Sequence, residues 1–134
     1  MTYVLDTDVC VWVLRRREPW LSRLHGERPG DVAVTSLTEA ELRLGALKAS
    51  DPARDLARVE AFLSGAIGVL PFDRDAARHH AEIRFALRAR PIGDRDLVIA
   101  SVARAHGATL VTGNLGELGR VPGLRVDDWG PGRP

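Results

Sequence analysis

Four short segments place acidic, hydroxyl or amide side chains where apolar runs begin or end. Asp6 follows an apolar run at the start of the chain, and Glu41 and Asp96 lie near the starts of two predicted helices. Thr112 and Asn114 follow a later apolar run. Oxygen donors of this kind are the ligands that Mg²⁺ and Mn²⁺ prefer. A divalent ion held there would lower the pKa of a bound water and stabilise charge on a phosphodiester, so the set favours metal-assisted phosphodiester hydrolysis.

Each of these residues also has an ordinary structural explanation. Asp6 suits a turn after a strand, and Glu41 suits a solvated helix face. Asp96, in a first helical turn, would interact favourably with the helix dipole. Asn114 suits a turn or a helix cap. Only their combination favours a metal site.

Other polar residues are predicted to cap helices. Asp8 is the predicted N-cap of the first helix. Ser36 and Glu39 have the S-x-x-E spacing of a capping box. Asp94 is predicted to cap the helix that carries Asp96.

The pattern of apolar residues predicts alternating strands and helices. The predicted strands span residues 3–6, 33–36, 67–70, 109–112 and 124–126, and the predicted helices span 9–16, 37–48, 51–64, 73–90 and 97–106. This alternation is typical of a three-layer α/β/α sandwich around a mostly parallel sheet. Ligands of such sheets bind beyond the carboxyl ends of the strands, where the acids are expected. We predict one domain over residues 1–130 and a frayed tail at 131–134.

Composition excludes several other classes of protein. The 134 residues suit a single domain. Cys10 is the only cysteine, which excludes an intramolecular disulfide or a multi-cysteine zinc site. No signal peptide or membrane span is recognisable, so we expect a cytoplasmic protein. Net charge is +1, and Lys48 is the only lysine among 19 basic residues. The arginines suit phosphate binding, although a GC-rich genome would explain them equally well.

Five segments together resemble the PIN-domain ribonucleases, and more closely the VapC toxins. They are VLDTDV at 4–9, TEAELRLG at 38–45, IGDRDLVIA at 92–100, GATLVTGN at 107–114 and VPGLRVDDW at 121–129. The resemblance covers nearly the whole chain in the right order. Two departures are Asp8, where relatives commonly carry Asn, and the additional acid Asp94.

The resemblance implies roles for particular residues and a fold of the PIN type. Asp6, Glu41 and Asp96 correspond to acids that bind Mg²⁺ or Mn²⁺, and with Asn114 they form the catalytic set. Thr7, Thr112 and Asp94 are expected to support that set. The implied function is that of a metal-dependent endoribonuclease toxin that acts on RNA and is neutralised by a VapB-like antitoxin. A homodimer, or a hetero-oligomer with the antitoxin, is expected.

Two other functions compete with this one. The D-x-D order of Asp6 and Asp8 also fits phosphatases of the haloacid-dehalogenase type. Those enzymes need a lysine in the second half of the chain, whereas Lys48 lies in the first half. A PIN-like interaction module without catalysis is the other alternative, and the intact acids argue against it.

Aromatic residues are candidates for RNA base recognition. Trp12, Trp20 and Phe85 could stack on unpaired bases, but core packing is the favoured interpretation for each. Arg15, Arg16 and Arg17 suit contact with the RNA backbone or with the antitoxin, and a solvated helix end explains them equally well.

Overall fold

The computed structural model describes residues 2–65 and 67–130, so the predicted tail at 131–134 lies outside the described residues. Five short strands form one sheet in which every pairing is parallel. The strands are β1 (Tyr3–Leu5), β2 (Val32–Thr35), β3 (Gly68–Leu70), β4 (Thr109–Val111) and β5 (Arg125–Asp127). Their spatial order is β3-β2-β1-β4-β5. The chain therefore builds outward from β1 on one side and then continues on the other, which makes the β1/β4 boundary a topological switch point.

Seven helices cover the sheet in the described part of the chain. They are α1 (Thr7–Leu14), α2 (Trp20–His25), α3 (Ser36–Leu47), α4 (Pro52–Leu63), α5 (Arg74–Ala86), α6 (Asp94–Ala105) and α7 (Leu115–Leu118). The three-layer sandwich with a parallel sheet is confirmed. The two shortest helices, α2 and α7, were not predicted, because six and four residues are too few to establish a helical period.

The two faces of the sheet bury separate apolar clusters. Along β1, Leu5 packs with α1–α4 while its neighbour Val4 packs with α5 and α6. In β4, Val111 and Leu110 divide between the faces in the same way. Successive side chains of a strand point to opposite faces, so a strand covered on both sides must be apolar throughout. Trp12 and Trp20 are buried in the first cluster, as predicted.

The predicted N-caps of α1 and α6 are wrong by two residues and by one residue. α1 begins at Thr7 and its N-cap is Asp6, so Asp8 lies in the first turn instead. The N-cap of α6 is Gly93, without a side-chain cap, and Asp94 is the first helical residue. Both helices start earlier than their apolar pattern suggests, because the first turn faces a polar cavity.

The cap of α3 also differs from the prediction. Thr35, the last residue of β2, accepts a hydrogen bond from the backbone N–H of Thr38 at 3.1 Å. Ser36 is exposed and is already helical. Glu39 forms an ion pair with Arg43 rather than a capping box. The strand thus runs directly into the helix, and the cap belongs to the buried strand residue.

Helix α5 ends four residues earlier than predicted. It ends at Ala86, and residues 87–90 form turns before the chain enters α6. These turns bring Ile92 into the second apolar cluster. Gly107 follows the C-cap of α6 with φ +63°, the left-handed conformation predicted for it. Residues 2–65 and 67–130 contain no helix with the length and hydrophobicity of a membrane span.

Candidate active site

The candidate site lies at the switch point, where the carboxyl ends of β1 and β4 meet. Leu5 and Val111 are paired in register, and the backbone N–H of Asp6 donates to the carbonyl of Val111 at 2.8 Å. Asp6 and Thr112 therefore leave the sheet side by side. The rest of the site comes from the amino-terminal part of α6 and the middle of α3.

A cavity of about 370 Å³ collects most of the predicted residues. Its lining comprises Asp6, Thr7, Asp8, Glu41, Gly93, Asp94, Arg95, Asp96, Ile99 and Asn114. Thr112 is fully buried behind this lining and contacts it through Asp6. All seven predicted site residues thus lie in the cavity or directly beneath it.

Asp6 is a buried carboxylate held by two donors. It is 5% exposed; Oδ1 accepts from the backbone N–H of Thr7 and Oδ2 accepts from Thr112 Oγ1, both at 2.7 Å. Burial raises the pKa of Asp6 from 3.8 to about 6. The Thr112 hydrogen bond opposes this rise, while the neighbouring charge of Asp96 adds to it. Asp6 is therefore a carboxylate whose negative charge is poorly compensated by the protein.

Asp96 lies opposite, in the first turn of α6. Its Oδ2 accepts from Asn114 Nδ2 at 3.1 Å, and the same amide nitrogen donates to Glu117 Oε2 at 3.2 Å. Burial raises the pKa of Asp96, and the Asn114 hydrogen bond opposes the rise. Asn114 thus holds Asp96 through its amide group, and it is the N-cap residue of α7 without making a side-chain cap.

Glu41 is tied to the site by a chain of hydroxyl groups. Its Oε1 accepts from Thr7 Oγ1 at 2.7 Å. Thr7 Oγ1 in turn lies 3.0 Å from Thr38 Oγ1, which accepts from Thr35 Oγ1 at 3.3 Å. All three threonines are buried. Glu41 is therefore not a solvated surface residue but is oriented by the cap of its own helix.

Arg95 reaches across the cavity from α6 and forms an ion pair with Glu41 Oε2. The Arg95 side chain is 72% exposed, whereas that of Glu41 is 16% exposed. Its positive charge opposes the rise in the pKa of Asp96 as well. Arg95 is thus the protein's own cation at the mouth of an acidic cavity.

Sequence reasoning missed Arg95 and Glu117 as residues of the site. Glu117 lies one helical turn beyond Asn114, a spacing that is visible in the sequence but has meaning only once the short α7 is known. Arg95 stands between two acids, and the sequence does not show which carboxylate it reaches. Asp94 is exposed at the rim of the cavity.

The donor set fits a divalent ion held by few protein ligands. Within residues 2–65 and 67–130, no three Asp, Glu, His or Cys side chains converge as a preformed metal cage. Asp6 and Asp96 are nevertheless close enough for the charge of Asp96 to raise the pKa of Asp6, and both line the same cavity. Mg²⁺ is commonly held by one or two carboxylates with water and substrate phosphate completing its octahedron. Two poorly compensated acids in one cavity meet that requirement.

Comparisons with known proteins agree with this geometry. The chain matches the PIN domain family over residues 3–124. It is 37% identical over 131 residues to the tRNA(fMet)-specific endonuclease VapC of Shigella flexneri, covering 96% of this chain and 98% of that protein. It is 36% identical over 131 residues to ribonuclease VapC2 of Haemophilus influenzae, with the same coverage of both proteins.

Solved structures of toxin–antitoxin complexes share the fold. A chain of the DNA-bound VapBC structure from Salmonella typhimurium superimposes with a TM-score of 0.89 at 35% identity, covering 97% of this chain and 99% of that one. VapBC2 from Rickettsia felis gives a TM-score of 0.86 at 30% identity, covering 97% and 100%. On the match to the family, the near-complete coverage and the shared fold, the chain belongs to the PIN-domain family and, within it, to the VapC group.

Proposed function

We propose that this chain is a metal-dependent endoribonuclease toxin in which Asp6 and Asp96 hold Mg²⁺ or Mn²⁺. One observation carries the proposal: the buried carboxylate of Asp6 faces Asp96 in a cavity at the switch point of a VapC-type fold. Burying an ionised carboxylate is unfavourable unless a cation or several donors compensate its charge. When bound, the ion would activate water and stabilise the charge of the phosphodiester during hydrolysis.

The other site residues act by positioning the two acids. Thr112 and the Thr7 backbone fix both oxygens of Asp6. Asn114 fixes one oxygen of Asp96, whose side chain lines the cavity. Preorganised ligands of this kind hold an ion at a defined place relative to the substrate.

Glu41 and Asp94 have different roles from Asp6 and Asp96. We propose that Glu41 joins the metal ligands when Arg95 releases its Oε2, because Glu41 lines the cavity and Thr7 already fixes its other oxygen. Asp94 adds negative charge at the rim and so raises the local concentration of cations.

Several relatives suggest the substrate and the partners. Two of them are tRNA(fMet)-specific endonucleases, from Shigella flexneri and Salmonella typhimurium. We propose initiator tRNA as the first RNA to test. The structural neighbours are complexes with an antitoxin, and we propose a VapB-like antitoxin as the partner that neutralises this chain in the cytoplasm, together with a homodimer of the toxin. Membership of the PIN-domain family removes the phosphatase alternative.

The direct test is cleavage of total cellular RNA and of a tRNA(fMet) transcript by the purified chain. We expect cleavage with Mg²⁺ or Mn²⁺, none with EDTA, and none by Asp96→Asn. Asp75→Asn, an exposed acid on α5, is the matched control and should cleave like the unsubstituted chain. Equal cleavage by Asp96→Asn would refute the proposed site, and binding of antitoxin without cleavage of any RNA would support the inactive module.

A further inference from the structure

Phe85 is an aromatic residue that the fold leaves on the surface. Sequence reasoning favoured a core position, but its side chain is 67% exposed. The buried face of α5 is defined by Ala76 and Ile83, which lie seven residues, or about two helical turns, apart. Phe85 lies two positions after Ile83, which turns it about 200° away from that face. The prediction of a core role was wrong because the helical period places Phe85 on the solvent side.

Three exposed arginines lie close to Phe85 in the sequence. Arg84, Arg88 and Arg90 fall within seven residues of sequence that contain no acid. In the described part of the chain, none of the three lies within ion-pair distance of a carboxylate, although most other α5 and α6 charges are paired. The segment therefore carries an uncompensated charge of +3.

The guanidinium of Arg88 lies over the ring of Phe85. Its carbon is 4.0 Å from the centroid of the Phe85 ring, and its Nη1 donates to the Phe85 carbonyl at 2.8 Å. This arrangement holds the ring and one cation together at the surface. Aromatic rings beside arginines are the combination on which single-stranded nucleic acids stack and pair their phosphates. Phe85, Arg84, Arg88 and Arg90 are referred to below as the Arg–Phe surface.

The Arg–Phe surface borders the candidate active site. A second cavity, of about 250 Å³, is lined by Arg84, Arg88 and Asp94 among others. Asp94 also lines the acidic cavity. The two cavities thus meet at Asp94, the first residue of α6, and residues of the preceding loop line one or the other of them. Arg120, which follows α7, donates to the Arg90 carbonyl and extends the positive charge along the same edge.

The charge of this surface favours a polyanion over a second copy of the chain. A two-fold interface centred here would bring the same arginines of both subunits together, and like charges in contact oppose association. An acidic catalytic cavity by itself repels RNA. Uncompensated arginines at its border supply the attraction that a phosphate backbone needs.

We propose that the Arg–Phe surface binds a single-stranded stretch of the RNA substrate, with a base stacked on Phe85 and phosphates held by the arginines. This inference rests on the proposed ribonuclease function and names where its substrate lies outside the metal site. The bound strand would run from the end of α5 over Asp94 into the acidic cavity.

The test measures, by fluorescence polarisation, how tightly the full chain binds a fluorescein-labelled single-stranded RNA of about a dozen nucleotides in EDTA. We expect Phe85→Ala to weaken binding about tenfold and Phe85→Trp to restore it, since any aromatic face can stack on a base. Phe72→Ala is the matched control, because Phe72 is also an exposed phenylalanine but lies at the other end of α5. It should bind RNA like the unsubstituted chain.

A second experiment tests the arginines by measuring how RNA binding depends on salt concentration. The triple variant Arg84→Gln, Arg88→Gln and Arg90→Gln should reduce the slope of log K against log[salt] by about two, as expected for three lost phosphate contacts to a single strand. A control triple with the same change in charge replaces the exposed residues Arg28, Arg54 and Arg74 by Gln and should leave the slope nearly unchanged.

Two results would overturn the inference. Unchanged RNA binding by Phe85→Ala and by the first triple would exclude the surface as an RNA site. Unchanged binding together with a shift from dimer to monomer in sedimentation would assign Phe85 to a protein interface instead. RNA binding is measured without metal, so these results are independent of the nuclease proposal. The nuclease proposal fails only if Asp96→Asn keeps metal-dependent cleavage.

Discussion

Asp6 combines two tasks that have opposite electrostatic demands. It is the N-cap of α1, where a negative side chain is favourable, and it is buried at the end of β1, where a negative charge is unfavourable. The hydrogen bond from Thr112 lowers its pKa but does not offset burial and the nearby charge of Asp96. The excess charge is what makes this residue suited to a cation.

The first prediction concerns the stability of the metal-free protein as a function of pH. The pKa of Asp6 rises from 3.8 in an unfolded chain to about 6 in the folded one, so folding favours its protonated form. The contribution of Asp6 to the free energy of unfolding is therefore most favourable below about pH 4 and declines as the pH rises from about 4 to about 6. Above the folded pKa, the ionised side chain lowers the free energy of unfolding by about 3 kcal/mol. Asp6→Asn should remove this dependence and be more stable than the unsubstituted chain at neutral pH in EDTA.

Urea unfolding from about pH 4 to pH 8 measures this difference. Asp75→Asn, an exposed acid, is the control and should follow the unsubstituted chain at every pH. Adding Mg²⁺ at neutral pH should stabilise the unsubstituted chain and not Asp6→Asn, because a ligand stabilises only the state that binds it. Parallel pH profiles for the unsubstituted chain and Asp6→Asn would contradict this account of Asp6.

At the scale of elements, a helix cap connects the core to the site. Thr35 caps α3 and begins the hydroxyl chain through Thr38 and Thr7 that ends on Glu41. The orientation of Glu41 therefore depends on a residue six positions earlier in the sequence. Helix α3 can position a side chain for the site because its start is fixed at the carboxyl end of β2.

The second prediction compares two adjacent residues at this cap. Thr35→Val keeps the shape of the side chain but removes the acceptor for the Thr38 N–H, so it should lower the free energy of unfolding by about 1 kcal/mol. Ser36→Ala should change it by less than about 0.5 kcal/mol, because Ser36 is exposed and does not cap the helix. Chemical denaturation of the two variants measures both values. A larger loss for Ser36→Ala would return the cap to the residue favoured by the sequence.

These caps show what sequence can predict at this scale. The strands and the longer helices follow from apolar periodicity, and they were predicted to within a few residues. The caps were predicted one or two residues too late, because S-x-x-E and an Asp before an apolar run are local signals. The positions of the observed caps of α1 and α3 depend on where the buried strands end. Thr35 has no distinguishing feature in the sequence, and it becomes the cap only because β2 is covered on both faces.

At the scale of the whole molecule, one sheet joins two apolar layers. All three tryptophans, Trp12, Trp20 and Trp129, belong to the cluster beneath α1–α4. The cluster beneath α5 and α6 contains none of them. Tryptophan fluorescence therefore reports on one layer, while far-ultraviolet circular dichroism reports on helices of both.

The third prediction follows from this division. Strands β1 and β4 each contribute side chains to both layers, so the layers should unfold together in a single transition. Urea transitions followed by fluorescence and by circular dichroism should then coincide, as expected for a two-state domain of this size. A fluorescence midpoint separated from the dichroism midpoint would show that the layers unfold independently.

The site of the molecule could be assembled from the sequence only in part. The order of the segments predicted that Asp6, Glu41, Asp96 and Asn114 belong to one site, and all four line the cavity. The ion pair between Arg95 and Glu41 could not be predicted, because it depends on how α6 faces α3 across the cavity. The exposed position of Phe85 could have been predicted from its helical spacing relative to Ile83. Its apolar side chain, considered without that spacing, favoured a core position.

The central claim is that Asp6 and Asp96 serve one ion in one reaction. The most direct measurement is the rate of RNA cleavage in Mg²⁺ by Asp6→Asn, Asp96→Asn and the double variant. Each single variant should lose activity on the order of a thousandfold, and the double variant should lose no more than either single one, because residues that act as a unit are not additive. Losses that multiply in the double variant, or a single variant that keeps most of its activity, would contradict a shared metal site.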